Sequence, residues 1–214
     1  MKNQSVLLFV FVSGYALLLI SCEFFNRRKN IASEHTRKFA HFVSTLSVLL
    51  FPYIFKDEGY VLAICAIFFV ALLMANRMRL LHSIDGVGRK TGGSYLLSLS
   101  VGITYYISVR LGNNELYTLS ILILAICDPL ASIVGQWVGS KHILHGKTIA
   151  GTFIFLLSAL LINLFFLFVT HHESVVILSF LVAFTATLAE LLSPRGTDNL
   201  TIPMAVTSVL ILYL

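Results

Sequence analysis

The chain has 214 residues, of which 57% are hydrophobic and only 12% charged, and its formal net charge is +5. Because soluble domains carry about 25% charged residues, this composition excludes an ordinary water-soluble protein. It predicts a single transmembrane domain over residues 1–214, with no soluble domain beside it. The basic and aromatic residues do not interleave as they do in a nucleic-acid groove, so no nucleic-acid partner is expected.

Apolar runs follow one another along the whole chain and predict an all-α, polytopic membrane helix bundle. A helix needs about 20 residues to span a bilayer, with a range of about 17–25. Seven runs reach that length, and an eighth, with 14 residues, is marginal. The prediction is therefore about seven or eight transmembrane helices. The runs cover residues 5–22, 39–55, 59–76, 94–110, 116–137, 149–170, 175–193 and 201–214.

The loops between these runs fall alternately on two sides, and their basic residues are unevenly shared. One side receives twelve of the fifteen lysines and arginines, whereas the other receives Lys2, Lys56 and Arg110. Short basic loops remain in the cytoplasm. The N-terminus is therefore expected outside, and the loops near residues 30, 85, 144 and 196 inside. In a bacterium this would be an integral protein of the plasma (inner) membrane with a cytoplasmic active site.

The second run opens with three polar residues that share a helix face. His41 lies four residues after Arg37 and three after Lys38, which is the spacing of neighbours on a helix. Two cations and an imidazole at a membrane surface suit a phosphate ligand. Basic side chains that extend to the lipid headgroups produce a similar pattern. The position of His41, one turn inside the apolar run, favours a catalytic function.

A carboxylate interrupts the fifth run. Asp128 lies 12 residues after the start of that run, or about 18 Å along a helix. A charge so deep in a bilayer costs at least about 2.5–3.5 kcal/mol, which marks it as a functional candidate. Pro129 removes a backbone donor and predicts a kinked or broken helix. Ser132 and Gln136 continue the same polar stripe.

Small residues and a basic loop follow Asp128. Gly135 and Gly139 form a small-residue stripe that suits either close helix packing or a ligand. Beyond them, a glycine, a lysine and a hydroxyl precede the next run, at Gly146, Lys147 and Thr148. Free amides at a helix start bind anions, so this segment is a candidate phosphate site. Thr148 as a simple helix N-cap is the alternative explanation.

The turn before the last run carries oxygen-bearing side chains. Glu190 lies near the end of the seventh run, and Asp198 and Asn199 follow a Pro/Gly turn. Mg²⁺ binds through one or two carboxylates together with substrate phosphates, so this turn is a candidate metal site. Asp198 as the cap of the last helix is the alternative.

Taken together, these motifs resemble the polyprenol kinase family, which includes dolichol kinase, phytol kinase and the CTP-dependent diacylglycerol kinase. The resemblance covers residues 35 to 203. It implies phosphorylation of a lipid alcohol, with CTP as the phosphoryl donor and a divalent cation. The motifs are Arg37-Lys38-x-x-His41, Asp128-x-x-Ala131-x-x-x-Gly135, Gly146-Lys147-Thr148-x-x-Gly151-Thr152 and Gly196-x-Asp198-Asn199-x-x-x-Pro203.

The residues predict phosphoryl transfer at the cytoplasmic face with Mg²⁺ as cofactor, and the resemblance implies a CTP-dependent lipid-alcohol kinase with a membrane lipid and a nucleotide as its ligands. The expected catalytic residues are Asp128, Arg37, Lys38 and His41. The expected phosphate-binding residues are Lys147, Gly146, Thr148, Gly135, Gly139, Lys141, Gly151 and Asn199. The expected metal ligands are Asp128, Asp198 and Glu190.

Two other functions remain open. Phosphatidate cytidylyltransferase shares the Asp…Gly…Lys-Thr…Gly region and also uses CTP, but it carries a longer C-terminal signature that this chain lacks. An ion-coupled transporter would use Asp128 as an ion site and would need binding groups on both faces. The sequence does not identify the alcohol, so polyprenols, dolichol, phytol and diacylglycerol all remain candidates.

Overall fold

The computed structural model describes residues 4–85, 92–194 and 196–213, and within them it contains helices and no β-strand. The predicted all-α membrane bundle is therefore confirmed. The basic residues Lys2, Arg89, Lys90 and Arg195 lie outside the described residues. The helices are α1 (Gln4–Lys29), α2 (Ser33–Val48), α3 (Phe51–Ile54), α4 (Glu58–Met78), α5 (His82–Asp85), α6 (Gly93–Leu111), α7 (Asn114–Val138), α8 (Ile149–Val169), α9 (Val175–Leu192) and α10 (Asp198–Tyr213).

Five helices of the described chain are long and apolar enough to cross a membrane: α1, α4, α7, α8 and α9. The α10 helix is apolar but has 16 residues. The predicted run 39–55 is divided, since α2 starts earlier, at Ser33, and ends at Val48, and the short α3 carries Pro52 in its first turn. Proline has no N–H to donate back to the preceding turn, so a continuous helix is interrupted there. A total of seven or eight spanning helices stays a prediction.

The α7 helix is the centre of the bundle. It contributes Leu119 and Leu124 to an apolar cluster with α8, α9 and α10, and Tyr117 and Ile121 to a second cluster with α2, α3, α4 and α6. Pro129 does not break it, because the helix continues to Val138. The prediction of a broken helix at Pro129 is therefore wrong. Packing on both sides holds α7 together, and membrane helices tolerate proline in such surroundings.

The helix ends near residues 30, 80, 144 and 196 lie at one end of the bundle, which we call the site end. Two hydrogen bonds join α1, α2 and α5 there: the amide of Ser83 donates to Glu23 Oε2 at 2.9 Å, and Thr36 Oγ1 donates to the carbonyl of Ser83 at 2.6 Å. An ion pair joins the loop before α8 to the start of α10. Loops that the charge distribution places on one side are thus also close in space.

A cysteine placed at Leu144, at the site end, is expected to resist a membrane-impermeant thiol reagent in intact cells. The reason is the concentration of basic residues in the loops at this end. Cys22, Cys65 and Cys127 are buried, so the background labelling should be low. A cysteine at the exposed Glu173, in the loop between α8 and α9, is the matched control and should be labelled. Strong labelling at position 144 before permeabilisation would contradict this topology.

Candidate functional site

A cavity of about 640 Å³ opens at the site end. Its walls are the first turns of α2, the second half of α7, the loop before α8, the end of α9 and the start of α10. Every residue that the sequence marks as a candidate site residue lines this cavity, although the chemical function of each stays a prediction. These residues are Arg37, Lys38, His41, Asp128, Gly135, Gly139, Lys141, Gly146, Lys147, Thr148, Gly151, Glu190, Asp198 and Asn199.

Two cations enter the cavity from α2, and one carboxylate orients both. Glu34 Oε1 lies 2.9 Å from Arg37 Nη2 and 3.7 Å from Lys38 Nζ. The spacing of three and four residues places Glu34 on the same helix face as its partners. Glu34 is not among the residues predicted from the sequence, although that spacing is a signal that could have identified it.

His41 and Asp128 face each other across the cavity floor. His41 Nε2 lies 3.9 Å from Asp128 Oδ2, which is too long for a hydrogen bond. That nitrogen is buried and has no hydrogen-bond partner in the described part of the chain. The Asp128 side chain is 23% exposed. Asp128 therefore faces a polar cavity rather than lipid, and this lowers the cost of a carboxylate placed about 15 Å from the end of α7.

Lys147 joins three elements at the opposite wall. Its Nζ lies 2.6 Å from Glu190 Oε1 at the end of α9 and 2.9 Å from Asp198 Oδ2 at the start of α10. Burial of the ammonium acts to lower the pKa of Lys147, but the carboxylates of Asp198, Asp128 and Glu190 outweigh burial and raise that pKa above its usual value. The ammonium's contribution to stability is present in full below the unfolded-state pKa of about 10.4 and is lost as the pH rises through the folded-state value.

The carboxylates of the cavity suit a Mg²⁺ ion that is bound jointly by protein and phosphate. The described residues contain no group of three or more His, Cys, Asp or Glu arranged to hold a metal by themselves. Asp128 and Asp198 nevertheless line the same cavity, and Glu190 Oε2 is buried without a hydrogen-bond partner among the described residues. Mg²⁺ binds through one or two carboxylates and completes its shell with phosphate oxygens and water. The donor set therefore fits a metal that arrives with a nucleotide.

Two of the candidate glycines allow α7 and α8 to approach closely. A methyl group at Gly135 would collide with Thr148 Oγ1 and lie 3.3 Å from the Cα of Gly151. At Gly151 it would lie 2.9 Å from the carbonyl oxygen of Ala131. Both residues therefore form the crossing point of the two helices, which is the packing explanation left open by the sequence.

We expect Gly135→Ala to lower the free energy of unfolding by about 1–3 kcal/mol, the usual cost of overpacking. The added methyl must displace the first turn of α8, where Thr148 contacts α7. Gly14→Ala on α1 is the matched control, since no atom of the described residues outside its own helix backbone lies within 4 Å of its added methyl group. Denaturant unfolding in detergent measures both variants. Equal stability of Gly135→Ala and the unmodified protein would contradict this packing.

The loop between α7 and α8 is a short hairpin whose backbone groups are largely paired. The amide of Ile143 donates to the carbonyl of Lys147 at 2.8 Å, and the amide of Lys147 donates to the carbonyl of Leu144 at 2.8 Å. Gly146 supports this turn with a φ of +82°, in the left-handed region that favours glycine. The hairpin places Lys141, His142 and Lys147 along one wall of the cavity.

The first four amides of α8 are not free, contrary to the expectation of an amide-built anion site. They donate to the Lys141 carbonyl, Ser140 Oγ, Thr148 Oγ1 and the Thr148 carbonyl. Thr148 is the N-cap of α8, because its hydroxyl accepts from the amide of Gly151 at 3.1 Å. Phosphate binding at this wall would therefore depend on side chains such as Lys147.

Asn199 connects the cavity to α6. Its Nδ2 donates to the carbonyl of Gly93 at 2.7 Å, and the side chain is buried. A methyl group at Gly93 would lie 3.0 Å from that same Nδ2. Asn199 therefore lines the cavity while its amide holds the starts of α6 and α10 together, a contact across 106 residues that no local pattern indicates.

Comparison with known proteins identifies the family. No family model and no solved structure matches the chain. The chain is 31% identical over 195 residues to the phytol kinase of Synechocystis sp., an alignment that covers 87% of this chain and 82% of that protein. The chain belongs to the polyprenol kinase family. Membership of this family supports a kinase that acts on a lipid alcohol.

A second protein similar to this chain is an uncharacterized protein of Rickettsia prowazekii. It is 33% identical over 124 residues, which cover 55% of this chain and 59% of that protein.

Proposed function

We propose that this protein transfers the γ-phosphoryl group of CTP to the hydroxyl of a lipid alcohol at the cytoplasmic face of the membrane, the inner membrane in a bacterium. One observation supports this most strongly. A single cavity at one end of a membrane bundle holds Asp128 and His41 on its floor, with cations on two of its walls. Family membership and the similarity to a phytol kinase support the same reaction class.

The cations suit the phosphates of a nucleotide. Phosphoryl transfer relies mainly on positioning and on neutralisation of phosphate charge. Arg37 and Lys38 are held by Glu34 on α2, and Lys147 is held by two carboxylates on the other wall. A polyphosphate between these walls would contact positive charge from both. When bound, Mg²⁺ would supply further neutralisation of the phosphate oxygens, with Asp128 and Asp198 as its protein ligands.

As the alternative to binding the metal, Asp128 would accept the proton of the substrate hydroxyl. In this step the oxygen of the alcohol forms a bond to the γ-phosphorus as the bond from that phosphorus to the bridging β–γ oxygen breaks. CDP leaves with the bonding electrons, and the hydroxyl proton passes to the Asp128 carboxylate. His41 faces Asp128 at 3.9 Å and would stabilise the carboxylate's position next to the alcohol. The Mg²⁺ dependence of an Asp128→Asn variant separates a function as metal ligand from a function as base.

Purified protein incubated with γ-labelled CTP and a panel of lipid alcohols tests the proposed reaction. We expect label in a lipid monophosphate and release of CDP. Label that leaves only as pyrophosphate, with phosphatidate as the acceptor, would contradict the kinase and support the cytidylyltransferase. A parallel incubation with γ-labelled ATP tests the donor, and faster transfer from ATP would contradict the choice of CTP. Absence of any product with all acceptors would favour the transporter.

A further inference from the structure

Four exposed basic side chains at the site end form what we call the basic cluster. Arg28 and Lys29 lie in the last turn of α1, Arg77 lies in the last turn of α4, and Arg79 is the residue that ends α4. None of the four pairs with a carboxylate in the described part of the chain, whereas carboxylates hold the cavity cations on α2 and at Lys147. The basic cluster therefore has charge to offer to a ligand.

The ends of α1 and α4 are adjacent, so the charges of the basic cluster lie in one region. Arg27 Nη2 donates to the carbonyl of Leu80, the residue that follows Arg79, at 3.5 Å. Glu23 is the carboxylate of α1 in this region, but it already accepts from Arg27 Nε and from the amide of Ser83. The basic cluster is therefore not neutralised by its own helix.

Both helices present a stripe of exposed apolar side chains that ends at the basic cluster. Each stripe joins two apolar residues, each more than half exposed, to one cation at spacings of three or four positions, which places them on one helix face. The stripes are Ile20, Phe24 and Arg28 on α1, and Val70, Met74 and Arg77 on α4.

In a bilayer these stripes contact lipid, because α1 and α4 are long and apolar enough to cross a membrane and the described residues leave the stripes exposed. A phospholipid at this position has its acyl chains along the apolar side chains and its phosphate at their basic ends. Arginine binds phosphate oxygens through two parallel hydrogen bonds. A zwitterionic headgroup adds a cation of its own, which offsets this attraction.

We propose that the basic cluster and the two stripes form a binding site for an anionic phospholipid. Clusters of at least four basic residues at the end of a membrane helix are typical of such sites. No residue of the basic cluster or of the stripes lines the cavity that holds Asp128. The lipid bound here is therefore separate from the lipid alcohol proposed as substrate, and this inference does not depend on the proposed reaction.

Tryptophan fluorescence tests the site, because the chain has a single tryptophan. A Phe24→Trp variant that also carries Trp137→Phe has its fluorescent reporter next to the basic cluster, where a brominated lipid quenches it on contact. In mixed vesicles we expect brominated phosphatidylglycerol to bind beside this reporter about fivefold or more strongly than brominated phosphatidylcholine. Because the attraction is electrostatic and exposed, the preference should decrease toward equal binding at about 1 M salt.

Charge variants in the same reporter background identify the residues responsible. Arg77→Gln combined with Arg79→Gln should remove most of the preference, whereas Arg77→Lys combined with Arg79→Lys should keep most of it. Lys56→Gln combined with Arg110→Gln removes two cations at the opposite end of the bundle and is the matched control, with no expected change. The native Trp137, exposed on α7, reports lipid elsewhere, so its quenching should not respond to the two glutamine substitutions at the basic cluster.

Three results would overturn the site. The first is equal quenching of the Phe24→Trp reporter by the two brominated lipids, and the second is a preference that survives the removal of both Arg77 and Arg79. The third is loss of the preference when inorganic phosphate is added at constant ionic strength, which would assign the cations to a soluble phosphate ligand. None of these measurements uses kinase activity, so failure of the lipid site and failure of the proposed function are distinguishable.

Discussion

Asp128→Asn should lower kcat for phosphoryl transfer by about 10²–10⁴-fold, the range lost with a general base. The amide has nearly the shape of the carboxylate, so the cavity floor should keep its packing, but it cannot take the proton of the alcohol. The carboxylate faces His41 and lies in a cavity that four lysine and arginine side chains line. Initial rates of lipid phosphate formation measure the effect.

Asp57→Asn is the matched control for this substitution. Asp57 is the N-cap of α4, where its side chain accepts from the amide of Gly59. Asparagine caps helices about as well as aspartate, so this variant should keep full activity and stability. Full activity in Asp128→Asn would remove Asp128 from the mechanism.

The Mg²⁺ dependence of Asp128→Asn separates its two possible functions. If the carboxylate acts only as a base, the Mg²⁺ concentration for half-maximal rate should stay unchanged while kcat falls. If it holds the metal, that concentration should rise, because a neutral amide oxygen is a weaker ligand for a hard cation. An Asp198→Asn variant provides the comparison, since Asp198 is the other carboxylate proposed for the metal.

Lys147→Met is expected to have the largest effect on stability, a loss of about 3–5 kcal/mol in the free energy of unfolding. The ammonium is the partner of Glu190, whose side chain is only 3% exposed, and of Asp198. Its removal leaves a buried carboxylate without its cation, and the ends of α8, α9 and α10 lose their common ion pair. Turnover should also be lost, since one cation of the proposed phosphate site disappears.

Two further variants separate stability from catalysis at this position. Lys56→Met removes an exposed lysine at the opposite end of the bundle and should change neither property. Lys147→Met combined with Glu190→Gln removes the unpaired charge and should recover most of the lost stability, measured by denaturant unfolding in detergent. The double variant should remain inactive. Recovery of turnover together with stability would show that Lys147 has only a structural function.

Much of the candidate site was predictable because the chemistry is local in the sequence. Arg37, Lys38 and His41 share one helix face through their spacing alone. Asp128 stands out because lipid makes a carboxylate costly. Alternating helices bring the loops that the charge rule groups together to one end of the bundle, so the candidate residues converge on one cavity.

Other contacts depend on how the helices pack and have no local signal. The ion pairs of Lys147 reach across 43 residues to Glu190 and 51 to Asp198, and the bond from Asn199 reaches Gly93 across 106. Sequence alone suggested Lys147 as a phosphate ligand but did not indicate that two carboxylates already hold it. It also suggested free amides at the start of α8, but these amides already donate to groups of the preceding loop and to Thr148.

The sequence by itself determined that the chain folds in lipid as helices, since a bilayer leaves no other partner for the backbone groups of long apolar segments. It also determined the order of the polar motifs on one side. The tertiary structure alone decided which of these groups pair and that α7 continues through Pro129. Each of these depends on side chains from separate helices filling common space, which is a property of packing rather than of periodicity.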